Sequence, residues 1–432
     1  MENVHAILLL CLWPIPRRRI LHDPSWTYIG IAVNSCMEFN CHTSLMQKHT
    51  VSGRAGLLGS VNVQTQCLTW LACFSVGTQY VAPFHPLDYA EIASRIATFL
   101  GFVPPISSYH QLKYVRKAID QLNGFLSHGN QASLAICEIM CNYSVSLEDV
   151  EDPGAHISLT NVFDGSLDTV KQTYYAQWTP ELDIRLQIAK LNLYAASALL
   201  PLQHSSLADA QNLVHRQTLF LRGLESATTL IDHMKNMALS SDSEGQSHAG
   251  KLPFLPRHFF SGLFFSAVFL FRIFVYIQPL SHAHTARAIQ HMLDAQSTFQ
   301  LLPHHRDRAR AARLIGKLVE KAQTALAAGS HWPLTELTVT NRLGASILWD
   351  TFARMRVTAN FGRSNGEGEA TQKMRPIGPD PLPPAPEMKL RLQNVGVTLT
   401  RTIAAEDQAL NSWTSLDVDL DNFGFDFDQQ MF

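Results

Sequence analysis

The run from Phe259 to Ile277 is apolar at nearly every position, so it belongs either in a bilayer or at the centre of a protein core. Ser261, Ser266 and Arg272 interrupt it. An arginine at the bilayer centre costs roughly 2.5–3.5 kcal/mol even on gentle insertion scales, and the run is therefore expected to be a core helix. The N-terminal run Ala6 to Trp13 meets a similar choice. It follows Glu2 rather than a basic segment, and Pro14 with Arg17 to Arg19 stands where small residues would mark a cleavage site, which predicts a buried helix rather than a signal peptide.

Helical periodicity runs through most of the chain. Asn3 can cap the first helix, apolar on every side, which stops at Pro14-Ile15-Pro16. Asp23 before Pro24 pairs an N-cap acceptor with a proline at the first helical position, and Trp26, Ile29, Val33 and Met37 then share an inward face. After a polar loop, Gln47 to Ser60, residues Val61 to Val76 predict another buried helix. Val115, Ile119, Leu122 and Leu126 mark an amphipathic helix. Their heptad spacing lasts about two heptads, too short for a coiled coil. Pro153, Gly154 and Gly165 in a polar stretch suggest a surface connection over 144–180.

Beyond it, Ile184, Ile188, Leu191, Ala195 and Ala198 line one helix that ends at Pro201. Leu207, Ala210, Val214, Leu221, Leu224 and Ile231 line a longer one. Ser240 to Gly250 reads as a disordered loop. Helices are expected over 259–277, 284–299, 305–328 and 342–357. In this region, sustained alternation with period two and repeats of fixed length are absent, so the expected fold is all-α, an irregular helical bundle rather than a solenoid. The expected domains are a helical region over 1–358, a Gly/Pro-rich linker over 359–395 and a tail over 396–432, disordered by composition.

Chemistry is harder to find. The formal charge of -2 (34 minus 36) gives no long-range pull toward nucleic acid or anionic membranes. Seven scattered cysteines without a CxxC pair read as buried thiols in a reducing compartment. No HExxH, GxSxG, GxxxxGK[ST] or complete GxGxxG is present, and no catalytic residue is expected. His282, His284, His304 and His305 lack metal-ligand spacing and are expected as surface or capping groups. Arg306, Arg308, Arg310, Arg313 and Lys317 are expected to form a solvated helix face.

The tail differs from everything before it. After Arg401 come Glu406, Asp407, Asp417, Asp419, Asp421, Asp426 and Asp428, with no Lys or Arg. Trp413, Leu416, Val418, Leu420, Phe423, Phe425, Phe427, Met431 and Phe432 are interleaved with these carboxylates. Mutual repulsion keeps such a segment open, and its wet aromatics are available to a partner groove with basic rims. Alternation is also a strand signature, but Gly424 and the uniform charge sign oppose that reading.

Residues Glu2 to Pro14 (ENVHAILLLCLWP), then Asp23-Pro24-Ser25-Trp26 and Gly30 to Val33, resemble the opening of the middle homology region in fungal zinc-cluster transcription regulators, with Trp13, Pro14, Asp23, Pro24, Ser25 and Trp26 as the motif. Thr69 to Phe74 (TWLACF) is similar to that region's next helix. Within the family the flavour is that of regulators of secreted proteases and leucine biosynthesis. The resemblance implies a nuclear, usually dimeric regulator of RNA polymerase II transcription whose tail binds coactivators. The family's DNA reader, a six-cysteine cluster holding two zinc ions, has no counterpart in these residues. No cofactor or membrane contact is expected, and DNA contact is expected only through a segment outside this sequence, with competition for partners as the alternative. A rival expectation is a metabolite-sensing module, with the helix over 259–277 lining its pocket.

Overall fold

A computed structural model describes residues 1–14, 25–42, 63–79, 106–148, 150, 153–198, 208–239, 252–276, 282–302, 306–327, 347 and 351. All of them belong to one compact unit, Met1–Pro86 with Ser94–Met355. The described residues form eleven α-helices and two short 3-10 turns, without a strand. The fold is an irregular all-α bundle, its helices ranging from 11 to 32 residues.

Four helices build the first core: α1 (Glu2–Leu12), α2 (Ser25–Glu38), α3 (Val63–Gln79) and α4 (Tyr109–Leu122). Val4, Leu8 and Cys11 from α1 meet Ile29, Val33 and Cys36 from α2 and Trp70, Cys73 and Phe74 from α3. Here α1 departs from expectation. Met1, not Asn3, precedes it, and only one face is covered, leaving Leu9 56% exposed. On α2 the inward face carries Ala32 and Cys36, while Met37 points outward at 38% exposure. A four-residue step from Val33 lands 40° past a full turn, far enough to rotate Met37 off the buried edge. Ser108 and Gln111 bracket the start of α4 as a capping box, and Leu112, Val115, Ala118 and Leu122 fill its buried stripe.

Between the two cores lies α5 (His128–Glu148), which covers 128–143, a stretch without a periodicity assignment, and reaches into the expected connection. Ile136, Met140, Tyr143 and Leu147 repeat at four and three residues on one side and enter the second core, whereas Leu134, Cys137 and Cys141 enter the first. A helix apolar on two sides shows no single stripe.

The expected surface connection over 144–180 is corrected more strongly by α6 (Pro153–Thr173). Pro153 opens this helix, where its missing N–H costs nothing. Gly165 lies exposed mid-helix with open space around its α-carbon. Leu167 and Val170 face the core, with Leu159 and Phe163 packed against it, and His156, Thr160 and Asp164 are buried on the same helix.

The second core is built on α7 (Pro180–Ala198) and α8 (Ala208–Leu239). Thr179 accepts from the Leu182 N–H at 3.3 Å, Pro180 fills the first helical position, and Glu181 and Asp183 occupy the positive first turn. Most sides of α7 are buried, because α5, α6, α8 and α9 (Arg257–Tyr276) surround it. On α8 the buried apolar side chains are Leu219, Phe220, Leu224, Ala227, Leu230, Ile231 and Met234, so the expected face is rotated: Val214 is 63% exposed and Leu221 also points outward.

Phe259, Phe264, Phe265, Phe269 and Phe271 of α9 are at most 1% exposed, and Arg272 is fully buried among them. The expected core helix is what forms. Gly223 of α8 makes the notch for the Phe269 ring, and Gly262 of α9 makes the one for Ile188. A β-carbon at either place would sit within the neighbouring side chain. Among residues described with side chains, no helix is long and apolar enough to cross a membrane. Finally α10 (His282–Leu301) packs on α8 and α9, and α11 (Arg306–Ala327) packs on α10 and α9. Of the helix expected over 342–357, only Ile347 and Thr351 are described, with the Thr351 hydroxyl donating to the Ile347 carbonyl at 2.7 Å.

Candidate functional site

Every expected tail contact, Trp413, Leu416, Asp417, Asp419, Leu420, Asp421, Phe423, Phe425, Asp426, Phe427 and Asp428, lies outside the described residues, as do the linker and motif residues Asp23 and Pro24. The motif residues that are described lie at a junction. Trp13 follows α1 and donates its indole N–H to the Phe254 carbonyl at 3.1 Å, tying the first core to the 3-10 turn Leu252–Phe254 before α9. From the other side, Arg308 of α11 donates to the Pro253 carbonyl at 3.3 Å and lies 4.3 Å above the Phe260 ring. Consecutive carbonyls of one turn are thus held from two helices. Pro14 follows the tryptophan, and Ser25, buried, opens α2 and accepts from the Cys11 thiol at 3.4 Å.

Arg308 corrects the expectation of a wholly solvated basic face. At 3.6 residues per turn it falls on the side of Ile315 and Val319, and burial lowers its pKa. Arg313 and Lys317 lie on the opposite, exposed side as expected.

Four polar junctions are buried between the helices, and periodicity pointed to none of them. Asp183, in the first turn of α7, accepts from Lys171 at 2.6 Å, Trp178 at 2.9 Å, His233 at 3.0 Å and Gln187 at 3.3 Å. Burial alone would push this carboxyl up, but the bonds from His233, Lys171 and Trp178 outweigh it and hold it well below the usual range. Asp164 of α6 accepts from the Tyr194 hydroxyl at 2.7 Å, Lys190 at 3.0 Å and Arg222 at 3.3 Å, joining α6, α7 and α8.

A serine beside a histidine forms the third junction, the arrangement most suggestive of nucleophilic chemistry. The Ser197 hydroxyl sits 3.3 Å from His156 Nδ1, 3.1 Å from the Tyr143 hydroxyl and in contact with Thr160 Oγ1. One donor and two acceptor sites are all that a hydroxyl has, so three partners saturate it. All four groups are buried, and burial pushes His156 down to about 4 and Tyr143 up to about 12. This junction clamps α5, α6 and α7.

At the fourth, Arg185 donates to the Ser133 hydroxyl at 2.6 Å and lies over Phe259 at 5.4 Å, against which His258 stacks at 4.4 Å. Burial, helped by the Arg185 charge, holds His258 far below the usual imidazole range. A local signal did exist for the Asp164 junction: Asp164 with Asp168 and Lys190 with Tyr194 each repeat at i, i+4 on one helix face, and Lys190 also bonds Asp168 at 2.7 Å. What the spacing could not supply is the partner helix.

The described polar groups therefore fasten a scaffold. Among the described residues, no group of three or more His, Cys, Asp and Glu is arranged to hold a metal ion. No family model matches this sequence, and no match is found among curated proteins or among solved structures.

Proposed function

We propose that this chain is a nuclear regulator of RNA polymerase II transcription, an activator, in which an all-α regulatory domain carries an acidic-aromatic tail that recruits coactivators. The observation that carries it is the composition after Arg401: seven carboxylates, no basic residue, and Trp413, Leu416, Leu420, Phe423, Phe425 and Phe427 spaced among them. A groove with an apolar floor and basic rims is the complement of such a segment, and aromatics kept wet by repulsion lose little on leaving their free state. Contact with DNA is proposed only through a segment outside this sequence, with a homodimer as its assembly. Its target genes are proposed to be those of secreted proteases or of nitrogen and amino-acid metabolism, by the motif resemblance around Trp13 and Trp26.

The helical domain is compatible with this reading, since a regulatory module needs a folded scaffold. The test is direct: residues 396–432 fused to a heterologous DNA-binding domain are expected to drive a reporter, and replacing Phe423, Phe425 and Phe427 together by alanine is expected to abolish the signal. Undiminished activity in the triple variant would refute the role given to the tail.

A further inference from the structure

The first core gathers sulfur. Cys36 at the end of α2 and Cys73 on α3 place their Sγ atoms 3.5 Å apart, 37 residues apart in sequence, and both side chains are fully buried. Beside them, Cys41 donates its backbone N–H to the Cys36 carbonyl at 2.9 Å and lies 3.8 Å from the Met1 sulfur. Apolar packing alone asks nothing of the sulfur atoms, yet here two thiols from different helices are in contact.

We propose that Cys36 and Cys73 form a redox pair, reduced in this structure, that closes to a disulfide under sustained oxidation and locks α2 against α3. A disulfide has a bond of about 2.05 Å, so the sulfurs must approach by about 1.5 Å. With hydrogen peroxide as oxidant, one thiol gives up its proton and the thiolate breaks the O–O bond, forming a sulfenic acid and a hydroxide that takes the proton back and leaves as water. The second thiol then attacks that sulfur, the S–S bond forms, and a second water leaves. Two electrons pass from the two thiols to the peroxide, and the atoms balance.

The surroundings set the speed. A side-chain hydrogen bond with Cys41 lowers the Cys36 pKa, but the side-chain bond with Cys73 and burial outweigh it and push the thiol up to about 12. Little Cys36 thiolate is present at neutral pH, and the oxidant reaches these buried sulfurs only when α2 and α3 part. The pair is thus a slow lock and not a fast peroxide sensor. A crosslink spanning 37 residues restricts the unfolded chain and stabilises the fold.

The experiment uses the full chain, reduced, desalted and incubated with hydrogen peroxide, followed by peptide mapping without reductant. The expected result is a linked peptide containing Cys36 and Cys73, together with a melting midpoint raised on the order of 5 °C. Dithiothreitol is expected to reverse both changes, and Cys73→Ser to remove both. A Cys36–Cys41 link instead, or both thiols intact after the other cysteines have reacted, overturns the proposal. The mapping on the unaltered chain decides the matter even if the variant fails to fold.

Discussion

At the scale of single residues, the most consequential side chain is Asp183. Four donors converge on a carboxylate that is only 7% exposed, and removing its charge leaves Lys171 and His233 facing a poor acceptor. Asp183→Asn is therefore expected to lower the unfolding free energy by about 3–5 kcal/mol, read by urea denaturation at neutral pH. An effect below about 1 kcal/mol would mean that the carboxylate is no hub. Gly223 makes a second case. Its missing β-carbon leaves room for the Phe269 ring, so Gly223→Ala is expected to cost about 1–3 kcal/mol, although alanine has the higher helix propensity. The two glycines Gly223 and Gly165 look alike in sequence, and only their neighbours separate them.

At the scale of elements, α6 shows where composition misleads. Pro153, Gly154 and Gly165 together suggest a loop, yet a proline in the first turn is a helix opener and one exposed glycine costs a helix only about 1 kcal/mol. Leu167 and Val170, with the Asp164 and Thr160 junctions, supply more than that by docking the helix on α7. A substitution tests it: Gly165→Ala is expected to raise stability by about 0.5–1 kcal/mol, because the site is helical and its surroundings are open. In a loop the same change would do nothing or destabilise. The rotation of α8 has a related cause. Val214 and Leu221 fit a helical stripe with Leu224 and Ile231, but Leu219, Phe220 and Leu230 offer the surface that α7, α9 and α10 cover.

At the scale of the whole molecule, burial of titratable groups makes stability depend on pH. His42, His156, His215 and His258 all have lowered pKa values, with burial as the leading cause. Their neutral forms suit the fold, while the unfolded chain takes up protons near pH ~6.5. Stability is thus fully present above that pH and is lost as pH falls toward about 4, where His156 protonates in the folded state. Asp183 acts in the same direction but lower. Its folded pKa is depressed, so its contribution persists above the ordinary carboxylate value of about 4 and is lost below it. The expected urea midpoint falls steadily from about pH 7 to about pH 4, and His156→Gln is expected to flatten that slope by about one proton. A midpoint unchanged over this window would contradict the burial of these imidazoles.

Sequence alone determined the helical class of the periodic segments that became α4, α7, α8 and α9. The 3.6-residue period is a local property, legible at Val115, Leu122, Ile184 and Leu191 without knowledge of any neighbour. So was the core placement of the run expected over 259–277, buried at every described side chain through Ile273, because Arg272 made a bilayer costly, and so was the burial of all seven cysteines. The tertiary structure decided what lies across a gap between helices: that α5 serves two cores, that Arg308 turns inward, and that Asp164 meets Lys190 and Arg222. The physical reason is range. A hydrogen bond within a turn depends on residues four apart, whereas Asp183 and His233, or Cys36 and Cys73, become neighbours only when whole helices pack, and no local period records which faces will meet.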